Sequence, residues 1–386
     1  MEQLCECIRQ QVVANMDFSR AFSDIELQGL IAKEISSHRE ANRLTVQQRV
    51  LVEQRVFNSL RRLDVLQELL EDDEVTEILV NGPKHIFYEK NGEFHEYAYH
   101  FNSEEKLQDV VQQIVGKHNR VVNLTTPIVD TRLEDGSRVN IVLKPIAIDG
   151  SAISIRKFGK TPMDMKALIE FESISNEAAN FLKQIVVARY NIFISGGTSS
   201  GKTTFLNALS AYIPTNERVI TIEDAAELQL QQTPNLVRLE TRNSNQEGVK
   251  AISARELIHT ALRMRPDRII VGECRGEETL DMLQAMNTGH DGSLSTGHGN
   301  SIPDMLSRLE MMVLMGNELP LLAIRQQISM GIDIMIHLER GRDGKRRVTE
   351  IAELLELKDG EFQINFIFCN KNGTLKKVGE LKSEKS

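Results

Sequence analysis

Residues 191–204 read Asn-Ile-Phe-Ile-Ser-Gly-Gly-Thr-Ser-Ser-Gly-Lys-Thr-Thr, an apolar run that ends in a glycine-rich turn and a lysine. Gly196 to Thr203 satisfies G-x-x-x-x-G-K-[ST] in the setting that motif requires, after a strand and at the start of a helix. Gly196, Gly197 and Gly201 let the loop bend so that backbone N–H groups along it, those of Thr198, Ser199 and Ser200 included, turn inward on phosphate oxygens. A helix opening at Lys202 adds the positive end of its dipole. Lys202 is placed to reach the β- and γ-phosphates and Thr203 to ligate Mg²⁺, with Thr204 beside it in the same turn. The stretch predicts a nucleoside triphosphate site on a parallel α/β sheet. Asn370-Lys371-Asn372-Gly373 lacks the acidic residue that would read guanine, so ATP is the expected nucleotide.

From Thr161 the chain alternates strand and helix, the mark of a parallel sheet. Strands are expected at 191–195, 218–222, 268–272, 293–296 and 333–339, and helices at 202–212, 251–264, 277–287, 303–315 and 319–329. Residues 346–381 read as strands and a charged tail. Before Thr161 the texture differs. Leu51, Val52, Val56, Leu60, Leu63, Leu66 and Leu70 fall at helical spacing, and short apolar runs broken by Gly and Asn follow. Three domains are expected: a helical region over 1–72, a small α+β domain over 73–160 and the P-loop domain over 161–386.

Two further strands are expected to end in acids. Ile269-Ile270-Val271-Gly272-Glu273 delivers a carboxylate where a P-loop protein holds the Mg²⁺ water shell or orients the attacking water. Thr221-Ile222-Glu223-Asp224 supplies a second. With two carboxylates at one phosphate site, one coordinates metal and the other accepts a proton, so Glu223 and Glu273 are catalytic candidates and Glu273 a metal candidate. Gly289, Gly292, Gly297 and Gly299 surround His290 and His298, a density that points to backbone approaching a ligand. No third ligand sits at metal-site spacing near these histidines. Arg238 and Arg242, and further upstream Arg138 and Arg156, are candidates to meet charge developing on the γ-phosphate.

Composition narrows the classes. A length of 386 residues exceeds what one core organises, and 41% hydrophobic with 26% charged residues is an ordinary globular balance. A net charge of −9, 5% aromatics and no Trp count against a nucleic-acid channel. No apolar run approaches a membrane span, and MEQLCECIRQQ lacks the layout of a signal peptide, so a cytosolic chain is expected. Four scattered cysteines make neither a disulfide framework nor a zinc site.

The P-loop, ITIEDAAELQL, VRLETR, LRMRPDRIIVGECRG and AMNTGHDGSLSTGHGNS occur in the order of the Walker A, Asp box, arginine, Walker B and His box segments of the type II/type IV secretion ATPase superfamily, which the chain resembles over about residues 75–345. DTRLEDGSRVNIVLKPIA and SAISIRKF resemble phrases of its tight-adherence, CpaF-like pilus-assembly branch, and the tetracysteine insert of type II secretion ATPases is absent. The resemblance implies a RecA-like motor domain preceded by a small α+β, PAS-like domain. It also implies a homo-hexamer that binds ATP and Mg²⁺ between its domains and docks on inner-membrane platform proteins from the cytoplasmic side. It assigns Arg138, Arg156, Arg238 and Arg242 as arginine fingers and His290 and His298 to the His box. The function expected is a motor for pilus assembly or protein secretion. A RecA-like nucleic-acid translocase and a type IV ATPase for conjugative or effector transfer are the alternatives.

Overall fold

The computed structural model describes the chain except residues 18, 21, 118–120, 159–162, 243–249, 317, 342, 372 and 386. Asn372, cited above for guanine reading, lies outside the described residues. The chain divides into two compact units, Met1–Lys160 and Thr161–Ser386.

The first unit opens with helices α1 (Glu2–Ala14), α2 (Asp24–Ser37), α3 (Val46–Arg61) and α4 (Leu66–Glu71). Ser23 with Glu26, and Thr45 with Gln48, form reciprocal capping boxes that fix where α2 and α3 begin. Ile8 and Val12 of α1, Leu27 and Ile31 of α2, and Val52 and Val56 of α3 share one small core. After α4 come β1 (Val75–Asn81), β2 (His85–Lys90), β3 (Glu93–Glu96), α5 (Glu104–Gly116), β4 (Ile128–Arg132), β5 (Arg138–Val142) and β6 (Ala152–Arg156). These strands form an antiparallel sheet in the order β3-β2-β1-β6-β5-β4. Ile153 and Ile155 are buried and Arg156 is exposed, the alternation of a sheet with one covered face. Leu107, Val110, Val111 and Ile114 of α5 share the core with Ile78, Ile141, Ile153 and Ile155.

The second unit contains α6 (Met165–Glu170), α7 (Asn176–Val187), β7 (Ile192–Gly196), α8 (Lys202–Ser210), β8 (Arg218–Glu223), β9 (Asn235–Glu240), α9 (Ala254–Ala261), β10 (Arg268–Val271), α10 (Glu278–Asn287) and β11 (Leu294–His298). It continues through α11 (Ile302–Gly316), α12 (Leu321–Gly331), β12 (Ile334–Arg340), β13 (Arg346–Lys358), β14 (Glu361–Lys371) and β15 (Thr374–Lys377). One sheet runs β15-β14-β13-β12-β7-β11-β10-β8-β9. From β12 to β9 neighbouring strands are parallel, and β13 to β15 are added antiparallel.

All five residues of β7 are buried, as a parallel strand covered on both faces requires. Side chains of α7 and α8 pack with Ile192, Ile194, Val219 and Ile336. Those of α9 to α12 pack with Phe193, Ile220, Ile222, Ile269 and Val271. Because β7, β8, β10 and β11 are parallel, their C-terminal ends share one edge, where an open α/β sheet binds its ligands. The strands and helices expected from residue 191 onward lie within a few residues of those observed, while α6, α7, β4 and β9 were not anticipated. The two strands among them are short and of mixed exposure, and the arginine phrase VRLETR holds most of β9.

Candidate functional site

The loop between β7 and α8 takes the shape its glycines and serines allow. Ser199 and Gly201 both adopt left-handed backbone, with φ of 56° and 92°, and α8 starts directly at Lys202. Thr203 and Thr204 follow half-buried in the first turn. The Lys202 side chain is 8% exposed. Its ammonium donates to the carbonyls of Gly196 at 3.0 Å and Gly197 at 2.9 Å, and to His298 Nδ1 at 3.2 Å.

That last contact assigns a tautomer. An ammonium has only donors, so Nδ1 accepts and a neutral His298 carries its proton on Nε2. Burial holds the imidazole below its ordinary pKa, nearby Glu273 opposes that, and Lys202 and Arg275 reinforce it. His298 Nε2 lies 2.8 Å from Glu273 Oε1 but off the angle of a hydrogen bond. Glu273 Oε2 accepts from Arg275 at 2.9 Å, and Arg275 also lies 3.4 Å from Asp224. Thr296 Oγ1 donates to Gly272 O at 2.8 Å, joining β11 to the turn that carries Glu273.

Glu223, at the end of β8, is 5% exposed, and burial raises its pKa. Its Oε2 accepts from the N–H groups of Glu227 and Leu228 at 2.8 and 2.9 Å, which hold it against the rise. Glu223 Oε1, Glu273 Oε1, Ser200 Oγ and Thr221 Oγ1 are buried with no hydrogen-bond partner among the described residues. Most buried polar atoms in folded proteins are paired, so four orphans at one sheet edge mark a place built to receive something polar. A cavity of about 310 Å³ opens beside them, lined by Asp224, Arg242, Glu256, Glu273, Arg275 and Glu278 among others.

The structure thus brings together Gly196 to Thr204, Glu223, Glu273 and His298. Arg238 reaches the same neighbourhood, donating to Ala226 O at 3.1 Å in the segment that wraps Glu223. Arg242 lines the cavity, with its guanidinium on Lys250 O at 3.2 and 3.3 Å. Arg138 and Arg156 belong to the first unit, where they are direct partners across β5 and β6, and Arg132 of β4 is opposite Arg138. This cross-strand row continues to Glu77 of β1, opposite Arg156, so a carboxylate already offsets part of its charge.

His290 is not brought to the phosphate loop with the others. It lies before β11 while His298 ends it, so five strand residues, about 16 Å, separate it from the phosphate loop. The glycines around the histidines also serve packing. A Cβ on Gly297 would stand 2.9 Å from Met305 and Phe193, and one on Gly292 would stand 2.5 Å from the Arg268 guanidinium. Arg275, Arg132 and Thr296 were missed: nothing in their local sequence separates them from solvated or ordinary strand residues.

The residues fit a magnesium-bound nucleoside triphosphate. A half-buried Thr203 sits in the first turn of α8, two strand-end carboxylates have oxygens without a partner among the described residues, and a buried ammonium rests on neutral acceptors. Among the described residues, no group of three or more His, Cys, Asp or Glu could hold a metal alone. Mg²⁺ needs no such cage, since it binds one or two protein oxygens together with substrate phosphates.

A two-sheet α/β chain with this constellation belongs to the type II/IV secretion system protein family, whose model matches residues 60–356. It is 35% identical over 312 residues to a Mycobacterium tuberculosis protein named for conjugal transfer, covering 79% of this chain and 88% of that one. It is 31% identical to PtlH, a type IV secretion system protein of Bordetella pertussis, over 75% of this chain and 93% of that one. The solved structure of DotB, an ATPase of Legionella pneumophila, superposes with a TM-score of 0.54 at 23% identity. That match covers 76% of this chain and 80% of that one, and the likeness is one of fold. No described helix is long and apolar enough to cross a membrane.

Proposed function

We propose that the chain is an ATP-hydrolysing motor that powers pilus assembly or protein secretion from the cytoplasmic face of the inner membrane, working as a homo-hexamer on membrane platform proteins. The observation that carries the reading is the convergence of Lys202, His298 and Glu273, beside a second buried carboxylate, at one edge of a parallel sheet. The position of β7 inside the sheet, with β11 between it and β10, supports the RecA-like description of the second unit.

In this reading the loop N–H groups and Lys202 bind the phosphates, and Thr203 and Glu273 hold Mg²⁺, which neutralises phosphate charge when bound. Glu273 and Glu223 orient and deprotonate the attacking water. The raised pKa of Glu223 suits it to accept a proton near neutral pH, because a carboxylate that grips protons more tightly is the better base. His298 keeps Lys202 and Glu273 in register, and Arg238 and Arg242 with the row of Arg138 and Arg156 meet charge on the γ-phosphate.

The DTRLEDGSRVNIVLKPIA and SAISIRKF phrases favour the tight-adherence pilus branch. The relatives named for conjugal transfer and type IV secretion favour a type IV ATPase for conjugative or effector transfer, and this is the second reading. ATPase rates with and without single-stranded DNA, single-stranded RNA and acidic lipid vesicles test the class. Expected is Mg²⁺-dependent turnover raised by vesicles and unmoved by nucleic acid. Strong stimulation by nucleic acid would replace the motor with a translocase.

A further inference from the structure

Arg346, the first residue of β13, was not singled out by any motif, yet it touches the phosphate loop twice. Its Nε donates to Ser199 O at 2.9 Å across 147 residues of sequence, and a Cβ on Gly201 would meet its Cδ at 3.3 Å. We propose that Arg346 is a positioning residue that clamps the phosphate loop in its phosphate-receiving shape. This rests on the ATP-site reading above.

In a trans peptide the C=O and N–H point in opposite directions. With the Ser199 carbonyl drawn to Arg346, the Ser200 N–H must face away from it. It does: that N–H is directed at the Gly197 carbonyl, 3.4 Å away, the same oxygen that Lys202 Nζ reaches at 2.9 Å. The Gly197 carbonyl thus holds the place of an anionic oxygen: a phosphate oxygen that replaces it meets an N–H and an ammonium already turned to the same point, which is preorganisation in the sense that raises affinity. Ser199 holds a left-handed backbone without being glycine, a conformation that persists only where the surroundings over-determine it. The clamp is one such constraint.

The hairpin that carries Arg346 is itself fixed. Arg340 pairs with Arg346 across β12 and β13, and Leu338 of β12 pairs with Gly196 at the mouth of the loop. The neighbouring side chains are engaged elsewhere, Arg347 with Asp343 at 2.7 Å and Lys345 with Glu172 at 2.8 Å. Strand alternation turns Arg346 the other way, toward the loop. Of its guanidinium nitrogens, only Nε has a partner among the described residues.

The test uses the full chain with Arg346→Ala, Arg346→Met and Arg346→Lys, measuring ADP affinity by calorimetry, the KM and kcat for ATP, and thermal unfolding. Arg346→Ala and Arg346→Met should each raise the Kd for ADP and the KM for ATP about tenfold, with a smaller change in kcat. Tm should move by less than about 2 °C. Arg346→Lys keeps a donor and should recover most of the affinity. Methionine keeps the stem over Gly201 while removing the donor, so parental affinity in Arg346→Met overturns the clamp, as does a loss confined to kcat. A parental chain that binds no ADP sinks the nucleotide-site reading and the clamp with it. Parental binding with unchanged variants overturns the clamp alone.

Discussion

The two edges of the nine-stranded sheet are built from the same strands and treated in opposite ways. At the N-terminal edge, Arg268 is fully buried, pairs with Glu217, and donates to the carbonyls of Val186 and Gly292. Asp333 accepts from Asn191 N and pairs with Lys385, and the buried Glu353 accepts from Ser383, Lys382 N and Asn365. At the C-terminal edge, Ser200, Thr221, Glu223 and Glu273 each keep a buried polar atom without a partner among the described residues. His290 Nδ1 is the exception on the closed edge. Buried polar atoms cost stability when left unpaired, so a fold that satisfies one edge and not the other marks the second for a ligand.

Breaking the open edge should have the largest effect on activity and a small one on folding. Lys202→Ala should cut ATP turnover to below about a thousandth of the parental rate while circular dichroism and Tm stay near parental. Breaking the closed edge should do the reverse. Arg268→Ala leaves Glu217 with the loss of its buried partner and should cost about 3–5 kcal/mol in urea unfolding. Truncation after Gly379 removes the Lys382 and Ser383 donors from Glu353 and Lys385 from Asp333, and should cost about 2–4 kcal/mol by the same measurement.

His337, 2% exposed and 2.8 Å from Ser195 Oγ beneath the loop, is held below its ordinary pKa chiefly by burial. The native state therefore keeps it neutral while the unfolded chain takes up a proton near pH 6.5. Its contribution to stability is complete above that pH and is lost as pH falls below it, by at most about 1.4 kcal/mol per unit. His337→Gln should flatten that slope, and an unchanged slope would assign it to other groups. The smallest effect is expected at His290: His290→Ala should leave stability within about 0.5 kcal/mol and turnover at parental level. Equal damage from His290→Ala and His298→Ala would undo the separation of the two edges.

The open edge was largely legible in the sequence because its chemistry is local. Gly196 to Thr203 is contiguous, and Glu223 and Glu273 each end an apolar run. The His box was half legible: His298 reaches Lys202 because β11 pairs beside β7, while His290 falls at the other end of the same strand. Clustering in sequence does not distinguish the two ends of a strand that runs between them. The closed edge was not legible at all, since Glu217 to Arg268 and Glu353 to Ser383 are pairings set by strand order. Arg346 was hidden for the same reason, its contact with the loop created by the β12–β13 hairpin.

The most direct test is the Glu273→Gln variant, in which the carboxylate beside His298 loses its charge and little else. ATP binding by calorimetry and single-turnover hydrolysis should be measured together. Expected are ATP affinity within about threefold of parental, because the loop N–H groups, Lys202 and Thr203 carry most of the phosphate and Mg²⁺ binding, and hydrolysis slowed by about two to three orders of magnitude. Hydrolysis at the parental rate would contradict the account.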